Sequence, residues 1–370
     1  MSYILERTMK MWTVALMMTG MTTLAQANEF SGINDMDVPT AEPGTDPGDL
    51  PIINGADAAV ADYPMTGGLI AEGKIGGFGG MTFLCSSSLI APDVVLTAAH
   101  CVDIEGMIGV KLDELKFHYI RDADLTAYQL GATAEVPADA GTGSDYVIYP
   151  DYVGAQGVQV GLSANHDIAL IFLDEAVDHP YAYLPTKDEV SQIVADMNVT
   201  IVGWGQQTSS QQPEPGTVQI KQVADSFISE MGETEFKVGE EKEDGRKCHG
   251  DSGGPTFATV ETEALEDMRI IGVTSHAYDM TDCRETGGVD TKISAYWDWI
   301  DEEMRARCAD GTRAWCNEEG IISPPMPAEP GDTGDEETPA GGCACDATGG
   351  WASSMWAGVL VMALVRRRRS

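Results

Sequence analysis

The chain has 370 residues, enough for one large domain with tails or for two or three smaller ones, and its 59 acidic residues outnumber 22 basic ones to give a formal charge of -37. That balance excludes nucleic acid as a partner, because binding DNA or RNA needs a basic face that displaces counterions, and it opposes adsorption to anionic membranes. At 43% hydrophobic the chain can bury a core, and its 41 Gly and 18 Pro favour short strands and turns over long helices.

Residues 1–27 are predicted to be a cleaved export signal. Arg7 and Lys10 precede a largely apolar run over 11–24, and Ala25-Gln26-Ala27 supplies small residues for cleavage. Residues 28–51 then carry six acids and four prolines with no Lys or Arg, and form an acidic linker that cannot bury enough apolar surface to offset its ordering entropy. The core is placed at 52–305. Its short apolar runs at 94–98, 168–173, 199–203 and 269–275 have strand length, and β-branched residues dominate three of them. The last core element, over 293–305, sets Ile293, Tyr296, Trp297, Ile300 and Met304 on one face of an amphipathic helix. Many strands closed by one helix predict an all-β sandwich or barrel pair.

Beyond the core, residues 306–320 hold Cys308 and Cys316, which are expected to close a local disulfide. A second acidic Pro/Gly linker fills 321–342, again without a basic residue. The end, 343–370, combines Cys343 and Cys345, an apolar stretch over 351–365 and arginines 366–369. Fifteen helical residues reach roughly 22 Å, short of a bilayer core. The tail resembles the C-terminal sorting signals of bacterial surface proteins, most closely the myxobacterial kind. That resemblance implies removal by a processing enzyme and retention at the cell surface; a plain membrane anchor is the alternative.

Three core segments carry chemistry. Cys248-His249-Gly250-Asp251-Ser252-Gly253-Gly254-Pro255 sets a serine in a glycine-lined turn that can aim backbone N–H groups at a substrate oxygen. A serine hydroxyl needs a base held by a third group. Leu96-Thr97-Ala98-Ala99-His100-Cys101 offers the base, and Asn165-His166-Asp167-Ile168-Ala169-Leu170 offers a carboxylate entering a buried strand. In the order His, Asp, Ser these segments resemble the chymotrypsin-like (trypsin-like) serine proteases, as do Gly203-Trp204-Gly205 and the closing helix. The resemblance implies two six-stranded antiparallel β-barrels with a C-terminal helix and a serine endopeptidase active site in the cleft.

Carried over residue by residue, the family pattern makes Ser252 the nucleophile, His100 the base and Asp167 its orienting carboxylate. Gly250 and Ser252 would form the oxyanion hole, and Ser275 would hydrogen-bond the buried carboxylate. The pattern pairs Cys85 with Cys101 and Cys248 with Cys283, while Cys343 and Cys345 belong to the processed tail. Ile52, once freed at its amine, would pair with Asp251; Pro51 before it points to an activating protease of unknown kind. Arg246 matches the pocket floor, which disfavours Arg or Lys at the substrate's P1 position (the residue before the scissile bond) and favours an acidic one. Should Asp290 neutralise Arg246, a neutral P1 is expected instead, and should Asp290 face the substrate, Arg or Lys is expected. Residues 131–143 are extra to the pattern and read as a long surface loop. His166 and His249 read as exposed loop residues. No group has zinc spacing or a calcium-loop pattern, so no metal or cofactor is expected. The partners implied are protein or peptide substrates, the activating protease and the sorting enzyme. A protease-fold binding protein without activity is the rival class, and the complete triad argues against it.

Overall fold

The computed structural model describes residues 51–76, 79–128, 135–205, 219–241, 243–261, 266–279, 286–308 and 313–317. The export signal, the linkers apart from Pro51, the sorting tail, Cys283 and residues 131–134 of the extra loop lie outside the described residues. Among those described, no helix is long and apolar enough to cross a membrane.

After a two-residue edge strand β1 (Ala56–Asp57), the first barrel contains β2 (Thr66–Ile75), β3 (Gly79–Ala91), β4 (Val94–Thr97), β5 (Glu114–Ile120), β6 (Gly141–Gly143), β7 (Asp145–Ile148) and β8 (Ala169–Phe172). Their order is β6-β5-β2-β3-β4-β8-β7. A single residue, Ser144, separates β6 from β7, so the two act as one bent strand that closes a ring of six. The second barrel comprises β9 (Asn198–Gly203), β10 (Gln222–Met231), β11 (Glu235–Val238), β12 (Pro255–Glu261), β13 (Glu266–Ala277) and β14 (Gly288–Lys292). Pairing of β10 with β9 closes its six strands, and β1 adds to the edge of β10. Each sheet thus counts seven strands, one more than the six expected, because a strand is split in one and a short edge is appended in the other.

Continuous apolar runs make the innermost pair. β4 and β8 are buried along their whole length, with Val94 opposite Phe172, Val95 opposite Ile171 and Leu96 opposite Leu170. Each such side chain contributes about 1.5–3 kcal/mol by leaving water. The extra loop joins the first barrel through β6, which pairs with β5, and His179 Nε2 lies 2.8 Å from the Asp139 carbonyl.

The closing helix begins later than its periodicity suggests. Residues Ile293–Ala295 form a 3-10 turn, Tyr296 breaks the geometry at φ -116°, and α3 runs over Trp297–Cys308. (The shorter α1, Ala99–Val102, and α2, Ile104–Ile108, follow β4.) Ile293, Tyr296, Ile300 and Met304 are buried as the face requires. Trp297 is not; it lies 4.8 Å under the Lys187 ammonium, and Trp299 packs against the core in its stead.

A disulfide joins Cys308 to Cys316. Residues 313–316 of the loop it closes lie against the first barrel. Trp315 is fully buried and donates its indole N–H to Asp93, while Arg313 reaches Asp93 Oδ2 at 2.5 Å and the Leu173 carbonyl at 3.2 Å. The Arg307 guanidinium lies 3.6 Å from the Phe172 ring centroid.

Candidate active site

His100 sits where β4 turns into α1, and the Cys85–Cys101 disulfide ties that turn to β3. Asp167 lies two residues before the start of β8, the strand that pairs with β4, so barrel closure alone brings the two together across 67 residues. The His100 Nδ1 atom lies 2.7 Å from Asp167 Oδ2, and the His100 backbone N–H donates to Oδ1 at 2.9 Å. From the second barrel, Ser275 Oγ donates to Asp167 Oδ2 at 2.6 Å and Thr291 Oγ1 donates to the Asp167 carbonyl at 2.9 Å.

The Asp167 carboxyl is wholly enclosed. Burial pushes its pKa upward, but the His100 charge and the bonds from His100 and Ser275 outweigh that and hold it below the ordinary value. Burial likewise presses the His100 pKa down, and the Asp167 carboxylate more than reverses this, leaving it raised above 6.5. A base must be neutral to accept a proton. Activity is therefore expected to fall with decreasing pH along a limb centred above 6.5, and Asp167→Asn should move that limb downward, read from kcat/KM against pH.

Ser252 occupies a turn that only glycine permits. Gly250 and Gly253 adopt φ of 99° and 79°, and a Cβ on Gly253 would come within 2.1 Å of Thr97 Oγ1 and 2.4 Å of the Ser86 carbonyl. That close approach presses the Ser252 turn against the strand end bearing His100. Ser86 secures it by donating its backbone N–H to the Ser252 carbonyl at 2.7 Å and its hydroxyl to the Gly250 carbonyl at 3.0 Å.

Asp251 is buried between the N–H groups of Gly205 and Cys248, each 2.8 Å away. With the Pro51–Ile52 peptide intact, Ile52 has no free α-amine to offer it. Ile52 is itself fully buried, at φ 30°, and Ile53 bridges to Arg246. Burial raises the Asp251 pKa from 3.8 to about 6. Below the lower value the carboxyl is protonated in both folded and unfolded chains, and above the higher value the folded chain must bury a charge. The intact chain is expected to lose about 3 kcal/mol as pH rises from about 4 to about 6. Denaturant melts across that range should show the slope in the intact chain and its absence in Asp251→Asn.

The pocket residues depart from one expectation. Asp290 does not neutralise Arg246. Its carboxylate takes the Lys247 ammonium at 2.8 and 3.0 Å and the Thr256 hydroxyl at 2.5 Å, and Lys247 and Asp290 are both enclosed. Neighbouring residues on an extended chain face opposite ways, so Lys247 meets β14 while Arg246 runs beside Gly239. Cys248 is disulfide-bonded, with Cys283 outside the described residues.

His249 is exposed. His166 is not the exposed loop residue expected: it adopts φ 56°, stacks on Tyr149 and places Nδ1 2.9 Å from the Tyr296 hydroxyl. The one His/Cys grouping with metal-ligand spacing among the described residues is Cys85, His100 and Cys101, and its two sulfurs are spent in the disulfide. Glu235 and His276, both beside the Asp167 loop, carry no sequence signal.

The family model for Trypsin matches residues 52–300. The chain belongs to the trypsin family. Phenoloxidase-activating factor 1 of Holotrichia diomphalia is 28% identical over 277 residues, covering 69% of this chain and 70% of that protein. A trypsin of Phaedon cochleariae is 29% identical over 266 residues, covering 69% and 88%. Chymotrypsin-like elastase family member 3B of Homo sapiens is 28% identical over 267 residues, covering 68% and 88%. The two barrels, the closing helix and the trypsin match make this chain a serine endopeptidase acting on protein substrates.

Proposed function

We propose that Ser252, His100 and Asp167 form the catalytic triad. The observation that carries this reading is the 2.7 Å contact of His100 Nδ1 with enclosed Asp167, which commits one ring nitrogen and leaves Nε2 for the serine. Ser252 Oγ attacks the scissile carbonyl as His100 takes its proton, and the Gly250 and Ser252 N–H groups receive the developing oxyanion. His100 then protonates the leaving amine, and water hydrolyses the acyl-enzyme by the reverse proton path. Asp167 stays ionised throughout, consistent with its lowered pKa.

Maturation follows from the termini. Residues 1–27 direct export, and the two disulfides among the described residues suit an oxidising compartment. A second protease cuts after Pro51, the Ile52 amine pairs with Asp251, and the oxyanion turn becomes ordered. A sorting enzyme then trims the tail near Cys343 or Cys345 and leaves the protein at the cell surface.

The pocket selects against Arg and Lys. Arg246, which the family pattern sets at the pocket floor, favours Glu or Asp at P1, while Asp290 is bound by Lys247. A P1 scan with otherwise identical peptides, using protein trimmed to Ile52, tests this. Acidic P1 peptides should give the highest kcat/KM, and efficient cleavage after Arg would sink the assignment.

A further inference from the structure

The loop that delivers Asp167 is long, irregular and held from the opposite barrel. Between Tyr149 and Asp167 it includes positive φ at Gly154 and Gly161 and, unusually, at Ala164 (53°) and His166 (56°). A non-glycine residue there costs of order 1 kcal/mol or more and persists only where its surroundings over-determine it. On its outer side the loop rests on α2 and the residue before it: Ala155 N–H donates to Asp103 Oδ2 at 3.3 Å and Gln156 Nε2 to the Gly106 carbonyl at 3.2 Å. Asn165 closes it internally by exchanging two 2.9 Å bonds with the Gln159 backbone.

The inner grip comes from two residues of the second barrel. Glu235, at the start of β11, is 1% exposed. Its Oε2 accepts the backbone N–H groups of Ser163 at 2.6 Å and Ala164 at 3.1 Å, and its Oε1 accepts that of Asn165 at 2.8 Å. Three successive amides converge on one enclosed carboxylate, two residues ahead of Asp167. A buried carboxylate is tolerated only when hydrogen-bonded, and these amides supply the bonds while the carboxylate dictates the loop's path. His276, on β13, provides the second hold. Its Nε2 lies 2.9 Å from the Gly161 carbonyl, with Asn165 Nδ2 3.4 Å away, and its Nδ1 lies 3.0 Å from Ser275 Oγ, the hydroxyl bound to Asp167.

We propose that Glu235 and His276 are positioning residues that clamp the 159–166 loop and thereby hold Asp167 against His100. Neither touches the reacting atoms. They act through the aim of Asp167, since displacing a group of a catalytic constellation by about 1 Å can cost on the order of 100-fold in rate. The proposal rests on the triad reading above.

Glu235→Gln is the direct test, because an amide keeps the volume but cannot accept at both terminal atoms. Two readouts separate positioning from mere stability: the NMR titration of the His100 ring, and kcat against KM with a small ester. The variant is expected to move the His100 titration to lower pH and to reduce kcat ten- to a hundred-fold, with KM within twofold of wild type. A folded variant with unchanged His100 titration and kcat, whatever its Tm, overturns the proposal. Should Glu235→Gln fail to fold, His276 decides. His276→Ala should lower kcat and the His100 titration, and His276→Gln, whose Nε2 can replace the ring Nε2 toward the Gly161 carbonyl, should restore most of both; a wild-type His276→Ala variant overturns the clamp. Wild-type protein, trimmed to Ile52, that takes no fluorophosphonate label would refute the triad reading, while the His100 titration still reports on the clamp.

Discussion

Ser252→Ala is expected to lower kcat on the order of 10⁶-fold while leaving the fold and Tm of the protein intact. Ser252 is tied to Ser86 through its backbone carbonyl, which alanine retains, so the turn has no reason to move. What disappears is the oxygen to which the proposed triad assigns the acyl-enzyme. The variant should also lose labelling by a fluorophosphonate probe, which acylates only a working nucleophile. Residual hydrolysis above the uncatalysed rate can persist, because oxyanion binding does not depend on the hydroxyl. Near-native kcat on ester substrates would assign the nucleophile elsewhere.

Trp315→Ala is expected to destabilise the protein by about 3–5 kcal/mol, the range for removing a fully buried aromatic side chain. The residue lies outside the 52–300 trypsin match, yet it is 0% exposed and satisfies Asp93, itself 5% exposed. Its loss opens a cavity against the first barrel and takes one of two donors from an enclosed carboxylate. Trp315→Phe keeps most of the volume without the N–H, so it should cost less, about 1–3 kcal/mol. Chemical denaturation of the three proteins reads both values. A Trp315→Ala midpoint equal to wild type would mean that the Cys308–Cys316 loop is an appendage and not part of the domain.

Local patterns were enough for some elements. The strands over 94–97 and 169–172 were legible because burial on both faces leaves an unbroken apolar run, which needs no knowledge of partners. The Ser252 turn was legible for a similar reason: positive φ at Gly250 and Gly253 demands glycine where it stands. His100, Asp167 and Ser252 could therefore be picked out as segments, with the family resemblance joining them.

Partner choice was not legible, because it depends on which way a side chain points after the barrels close. Asp290 faces Lys247 and not Arg246, one residue earlier, since adjacent residues project to opposite sides. Glu235 and Glu233 look alike in Glu233-Thr234-Glu235, yet one is enclosed beneath the Asp167 loop and the other is exposed. Trp315 reaches Asp93 across 222 residues, a pairing with no local trace. The start of α3 shifted to Trp297 because Tyr296 turns to meet His166 and Tyr149, an aromatic contact that helical periodicity does not encode. Sequence by itself determined the buried apolar strands and the glycine turn, because each follows from local backbone sterics or burial, and it marked the segments that carry His100, Asp167 and Ser252. Tertiary structure decided the carboxylate partners, the hold on the Asp167 loop and the seat of Trp315, because each is a long-range contact that exists only once both barrels have closed.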